Sequence, residues 1–240
     1  MAITPQQYAR LYKMLGRPIS RRHDCGKHCA PLNGGEPVCC TTRHAIPVVN
    51  REEWQLLKSR TDLWHHFRPF DAPSRQIKEE LPSSCLAIEC KGAAFCERDN
   101  RSLACRTFPF FPYFTKEQEW RGFSYYWSFE DRCWMISYME KVDAAFVEEL
   151  FKSYEYLFKL DDSEKEPFIE LSASMRRVFT RWKRPILLLE KGKVWRKVLP
   201  ASGGRIVEAK EKDIRRHGPY RSETAYRRAV KEAEEEFAED

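Results

Sequence analysis

The chain has 240 residues, with 42 Lys or Arg against 36 Asp or Glu and a formal net charge of +6. Hydrophobic residues make up 42% and charged residues 32%, which excludes wholesale disorder. No apolar run approaches a membrane span, residues 1–15 lack the apolar stretch of a secretory signal, and Arg21-Arg22 is not followed by one. A soluble, cytoplasmic protein with no membrane partner is therefore expected.

In chain order, residues 5–15 read as a helix. Thr4 can cap it, Pro5 suits its first position, and Tyr8, Leu11, Tyr12 and Leu15 share an apolar face. Residues 17–44 form a loop bearing the first cysteines. Asn50 can cap the next helix, with Glu53 three residues on as in a capping box. Residues 68–84, with Pro69, Pro73 and Pro82, read as irregular chain. Over 108–134, 12 of 27 residues are Phe, Tyr or Trp, and the alternation of Phe123, Tyr125, Trp127 and Phe129 predicts a half-buried strand. Plain core packing and an apolar shell around a metal centre both account for so many rings.

Residues 137–160 predict an amphipathic helix through Val142, Phe146, Leu150, Tyr154 and Leu157, and 166–181 a second one. Ile186–Leu189 and Val194–Val198 read as a hairpin around Glu190-Lys191-Gly192-Lys193. Residues 200–221 look loop-rich, and 222–237 form a polar helix started by Ser222. No internal repeat and no glycine-rich phosphate fingerprint is present. The expected fold is α+β: a helix-rich single domain around a cysteine-ligated metal centre, with a small aromatic strand region and a C-terminal hairpin and helix. Residues 1–160 would be the cysteine-cluster domain, and 161–240 a C-terminal helix, hairpin and basic/acidic extension.

Nine cysteines carry the strongest signal: Cys25, Cys29, Cys39, Cys40, Cys85, Cys90, Cys96, Cys105 and Cys133. All fall within 25–133. An odd count without a secretory signal argues against a disulfide framework, whereas clustered thiols suit zinc or an iron–sulfur cluster. Eight or nine thiols match two four-ligand sites, or one cluster plus a spare site. Gly26 frees the backbone beside Cys25, and Gly34-Gly35 lets the chain turn back toward Cys39-Cys40. Consecutive side chains diverge on an extended chain, so Cys39 and Cys40 either serve two centres or divide between ligation and packing. All nine cysteines are candidate ligands, with [4Fe–4S] or zinc as the candidate cofactor. His28 lies between two cysteines, and His23 and His44 flank the group. His65-His66 is read as structural, on a helix or its end. No catalytic residue stands out, and oligomeric state is not readable.

The second cysteine group ends in Cys105-Arg106-Thr107-Phe108-Pro109. With the Cys39-Cys40 pair, it resembles the YkgJ-type cysteine-cluster family, a zinc- or iron-chelating domain, over about residues 20–140. The resemblance implies a strand and helix after the pair, at Ala45–Val49 and Arg51–Arg60. It also implies a closing C…CR-x-[FY]-P element at Cys96 … Pro109 and a further element at Asp131–Ile136. Trp134 and Met135 stand there where the family has Pro and Gly. The first group is looser than the family's, because nine residues separate Cys29 from Cys39. Either Cys85 or Cys90 could match the cysteine before Cys96, and Arg101 could stand where the family has an Arg-Pro dipeptide.

The same module is similar to that of flagellin lysine N-methylases, which implies iron–sulfur-dependent methyl transfer to protein lysine as an alternative activity. No methyl-donor motif accompanies it. A third reading rests on residues 171–231, where 18 Lys or Arg face 5 Asp or Glu. Such a segment could bind RNA or an acidic protein partner, or be a solvated face.

Overall fold

Thr4 opens the first helix, α1 (Pro5–Met14), with a reciprocal capping box. Its hydroxyl accepts from the Gln7 amide, and the Gln7 side chain accepts from the Thr4 amide. Tyr8, Leu11 and Tyr12 form the expected buried face. The computed structural model describes residues 3–238.

The elements that follow are α2 (Cys25–Cys29), β1 (Val48–Asn50), α3 (Arg51–Arg60), β2 (Trp64–His66), α4 (Ala72–Glu79), β3 (Cys85–Cys90), α5 (Leu103–Thr107), β4 (Phe110–Phe114) and β5 (Trp120–Tyr125). Then come α6 (Trp134–Ser137), α7 (Ala144–Leu160), α8 (Glu166–Arg181), β6 (Ile186–Glu190), β7 (Val194–Leu199), β8 (Arg205–Glu208) and α9 (Glu223–Ala238). The class is α+β.

Two antiparallel sheets result. In the smaller one, β3 lies between β1 and β2, with Cys85 opposite Asn50 and Cys90 opposite Trp64. The larger runs β4-β5-β6-β7-β8. Every residue of β4 is buried, because α8 covers the strand; the Ser172 hydroxyl on that helix accepts from the Phe114 amide at 3.0 Å. Against β5 lies α7. Phe123 meets Phe151 edge-on at 4.9 Å and Tyr154 at 5.2 Å, and Trp120 stacks on Phe151 at 5.4 Å. Each such ring pair adds about 0.5–1.5 kcal/mol beyond the area it buries. At the β5–β6 seam, Gly122 has φ +142°, and a Cβ there would sit 2.5 Å from the Leu189 carbonyl oxygen. Only glycine fits this approach.

Several elements differ from the sequence expectation. Residues 68–84 include α4, which starts where Asp71 and Ser74 cap each other and Pro73 fits the first turn. The aromatic strand stops at Tyr125, and Trp127–Phe129 is a 3-10 turn, so the alternation overran the strand. The region 137–160 is broken. Trp134–Ser137 and Met139–Lys141 form separate turns before α7 begins at Ala144. The loop-rich 200–221 segment contains β8. Asn50 does not cap α3; its amide donates to the Tyr8 hydroxyl at 2.7 Å and to Glu164 at 2.6 Å. His65 and His66 lie on strand β2, not on a helix. The α8 boundaries, the β6–β7 hairpin and the Ser222 start of α9 match the expectation.

Among the described residues, no helix is long and apolar enough to cross a membrane.

Candidate metal centre

All nine cysteines are free thiols, and eight of them line one cavity of about 1200 Å³. The ninth, Cys85, does not. Cys85 and Cys90 bound β3, and an odd separation of five places them on opposite faces of the strand. Cys90 faces the cavity. Cys85 donates to the Asn50 side-chain oxygen at 3.3 Å on the other side.

Short, irregular elements set the cavity wall. Asp24 caps α2 by accepting from the Gly26 amide at 3.1 Å, and the helix places Cys25 and Cys29 one turn apart on one face. The 3-10 turn Val38–Cys40 is closed by the Cys40 amide on the Pro37 carbonyl at 2.8 Å. It places Cys39 and Cys40 next to one another on the cavity wall. Cys96 follows the 3-10 turn Ala93–Phe95, and its sulfur accepts from Arg101 Nε at 3.0 Å. Cys105 sits on α5, whose cap Ser102 accepts from the Cys105 amide. Cys133 is the buried residue just before α6.

The electrostatics follow from burial and crowding. Burial first, and then the neighbouring Cys29 and Asp24, push the Cys25 thiol up to about 11. Burial pushes Cys105 up to about 12, and raises Cys29, Cys90 and Cys133. Cys39 is raised because its proton is held by Cys40 and it is buried, while that bond and the nearby Arg101 lower Cys40. Cys25, Cys29, Cys39, Cys90, Cys105 and Cys133 thus favour the neutral thiol over the thiolate.

Three polar residues support the wall in roles the sequence did not reveal. Glu53, 3% exposed, accepts from the Tyr12 hydroxyl and from the Leu103 amide, each at 2.6 Å, and so fixes the start of the helix that carries Cys105. Burial pushes its carboxyl up to about 7. Arg106 clamps backbone carbonyls of Arg101, Leu15 and Asp99 at 2.9, 2.9 and 2.7 Å, joining α1 to the loop before α5. Arg101, in the sequence a candidate for the position of the family's Arg-Pro dipeptide, donates to the Cys96 sulfur.

The histidines are placed differently from one another. His44 uses both ring nitrogens, on Asn33 at 2.9 Å and Arg132 at 2.8 Å. His28 stacks on Trp134 at 4.3 Å, and His23 lines the cavity. Among the described residues, no three His, Cys, Asp or Glu side chains already converge on a single-ion position. The eight thiols surround a space instead.

Of the 18 basic residues in 171–231, eight form ion pairs, three of them exposed pairs along α9. Arg184 pairs with Glu130 at 2.7 Å, Lys197 with Asp213 at 3.1 Å and Arg216 with Glu140 at 2.7 Å, and five further pairs involve Lys191, Arg196, Arg227, Arg228 and Lys231.

No family model matches the chain, and no curated protein and no solved structure matches it either.

Proposed function

We propose that this chain is a metal-binding protein whose cysteine-lined cavity holds an iron–sulfur cluster or zinc. One observation carries the reading: residues far apart in sequence, on six separate short segments, bring eight of nine cysteines to the wall of one cavity. Soft thiolate donors select zinc, copper(I) or iron–sulfur over hard cations, so the donor set fits such a group. Cys25, Cys29, Cys39, Cys40, Cys90, Cys96, Cys105 and Cys133 would hold it, and Cys85 would not. When bound, the group would brace the irregular walls and, if iron–sulfur, carry an electron. The resemblance to the YkgJ-type cysteine-cluster family supports the same reading.

The experiment is to measure iron, zinc and acid-labile sulfide on protein purified without oxygen. Stoichiometric metal is the expected result. Protein that neither retains metal nor takes up zinc or iron after reduction would overturn the reading.

A second reading, which rests on the resemblance to flagellin lysine N-methylases, is an enzyme of the iron–sulfur-dependent methyltransferase type. About 1200 Å³ exceeds the roughly 300–1,000 Å³ of ordinary small-molecule sites, leaving room beside a metal group. Equilibrium dialysis of metal-loaded protein with S-adenosylmethionine tests it, and an absence of saturable binding would remove it. A third reading, an RNA or acidic partner on 171–231, draws on the basic side chains not already paired within the chain.

A further inference from the structure

We propose that the cavity is also a binding site for a small molecule with two or more oxyanion charges, a phosphate ester or a polycarboxylate, held by Arg22, Arg43, Arg98 and Arg101. The inference does not require the cavity to hold metal. It bears on the methyltransferase reading by setting the sign of the molecule that enters: an anion, not a lysine side chain.

Charge is concentrated at this cavity. Eight of its lining residues are Lys or Arg, against three carboxylates, Asp24, Glu36 and Glu89. That excess of five compares with an excess of six over the whole chain. The carboxylates are already engaged. Asp24 accepts from the Gly26 amide at 3.1 Å, Glu36 from the Ala93 amide at 3.2 Å and Glu89 from the Thr42 hydroxyl at 2.9 Å.

Four of the cations are engaged too. Arg17 pairs with Glu149, Arg21 with Asp143 and Lys91 with Asp62, while Arg106 binds backbone carbonyls. The other four differ. Arg22, Arg43 and Arg98 are exposed and Arg101 is half-buried, and among the described residues none of them pairs with a carboxylate. Arg101 gives its Nε to the Cys96 sulfur at 3.0 Å, which leaves its two terminal nitrogens without a protein partner.

The backbone carrying these arginines is anchored. Arg98 opens a 3-10 turn, Arg98–Asn100, and Arg106 holds the carbonyls of Arg98, Asp99 and Arg101 at 3.4, 2.7 and 2.9 Å. Arg43 lies between two tethered residues, Thr42 on Glu89 and His44 on Asn33. Holding the donors in place beforehand lowers the ordering cost of binding. Guanidinium forks match the geometry of phosphate and carboxylate. A cleft lined by one sign of charge raises the local concentration of the opposite ion and repels a lysine ammonium. Phe70, 57% exposed on the same wall, offers an apolar face for the body of the ligand.

The test is a ligand-observed NMR titration of the full chain, purified without oxygen and with its metal content recorded. The probes are phenyl phosphate, tricarballylate, phenol and Nα-acetyl-lysine amide at low ionic strength. Phenyl phosphate or tricarballylate should bind saturably and more weakly as salt is added, and phenol and the lysine probe should not. Saturation by one anion names the source of the charge, and saturation by both assigns binding to the oxyanions they share. Arg43→Gln and Arg98→Gln are exposed changes that touch no thiol, and each should weaken anion binding about 3–10-fold. Arg181→Gln, exposed at the end of α8 and outside the cavity, should change nothing.

An absence of saturable binding by both anions would overturn the proposal. So would saturable binding of the lysine probe, or a loss in Arg181→Gln equal to that in Arg43→Gln and Arg98→Gln. Protein that lacks metal yet binds the anions would remove the metal reading and keep this one. Metal-containing protein that binds neither anion would do the reverse.

Discussion

Glu53 shows how one residue can look ordinary in sequence and act differently in the fold. Three positions after Asn50, it reads as half of a capping box. Asn50 turns instead toward Tyr8 and Glu164, and Glu53 points inward to hold the Tyr12 hydroxyl and the Leu103 amide. Removing a carboxyl from water favours its neutral form, and the native group titrates at about 7 against an ordinary 4.5. Between about pH 4.5 and 7 the native state therefore keeps a proton that the unfolded chain releases. This contribution is complete below the unfolded value and is lost as pH rises through the native one, about 3 kcal/mol across the window. Glu53→Gln should flatten that part of the stability–pH curve relative to wild type, as read from urea unfolding midpoints. Identical slopes in the two proteins would refute it. Local pattern could not reveal the role of Glu53, because its partners lie 41 and 50 residues away.

At the scale of elements, legibility followed periodicity. Helix α8 and the β6–β7 hairpin announce themselves by repeats that need no distant partner. The strand β4 does not alternate, since both its faces are buried, and its rings blurred into the run that continues to Phe129. Cysteine spacing also carries strand geometry. Cys85 and Cys90 cannot share a face of one strand, so the choice between them follows once β3 is recognised. The seam between β5 and β6 gives a sharp test of the sheet. Gly122→Ala places a methyl group against the Leu189 carbonyl at a φ that alanine avoids, and should cost about 2 kcal/mol or more. A thermal melt unchanged from wild type would show that β6 does not lie against β5 as described.

At the scale of the whole molecule, the chain has two kinds of support. The five-stranded sheet with α7 and α8 is held by buried rings and aliphatic side chains such as Phe123, Phe146, Leu150 and Phe179. The segments around the cavity, 17–44 and 91–107, are short turns with few buried apolar residues, and their thiols face one another across open space. Metal removal should therefore raise amide hydrogen exchange in those segments and leave the sheet and α7 protected. Uniform loss of protection across both regions would show instead that the metal holds the entire fold. The α+β class and the cysteine clustering were legible in sequence. The sequence made all nine cysteines candidate ligands; that eight line one cavity while Cys85 does not depends on how α2, β3, α5 and the loops pack.

The most direct measurement is a cysteine alkylation map by mass spectrometry. It compares metal-loaded native protein with the same protein after acid denaturation, chelation and reduction. Metal thiolates resist alkylation, so Cys85 should label in the native protein at a rate that metal does not change. Cys25, Cys29, Cys39, Cys40, Cys90, Cys96, Cys105 and Cys133 should label only after the metal is removed. Labelling of all nine thiols at the same rate with and without metal would contradict a metal-holding cavity.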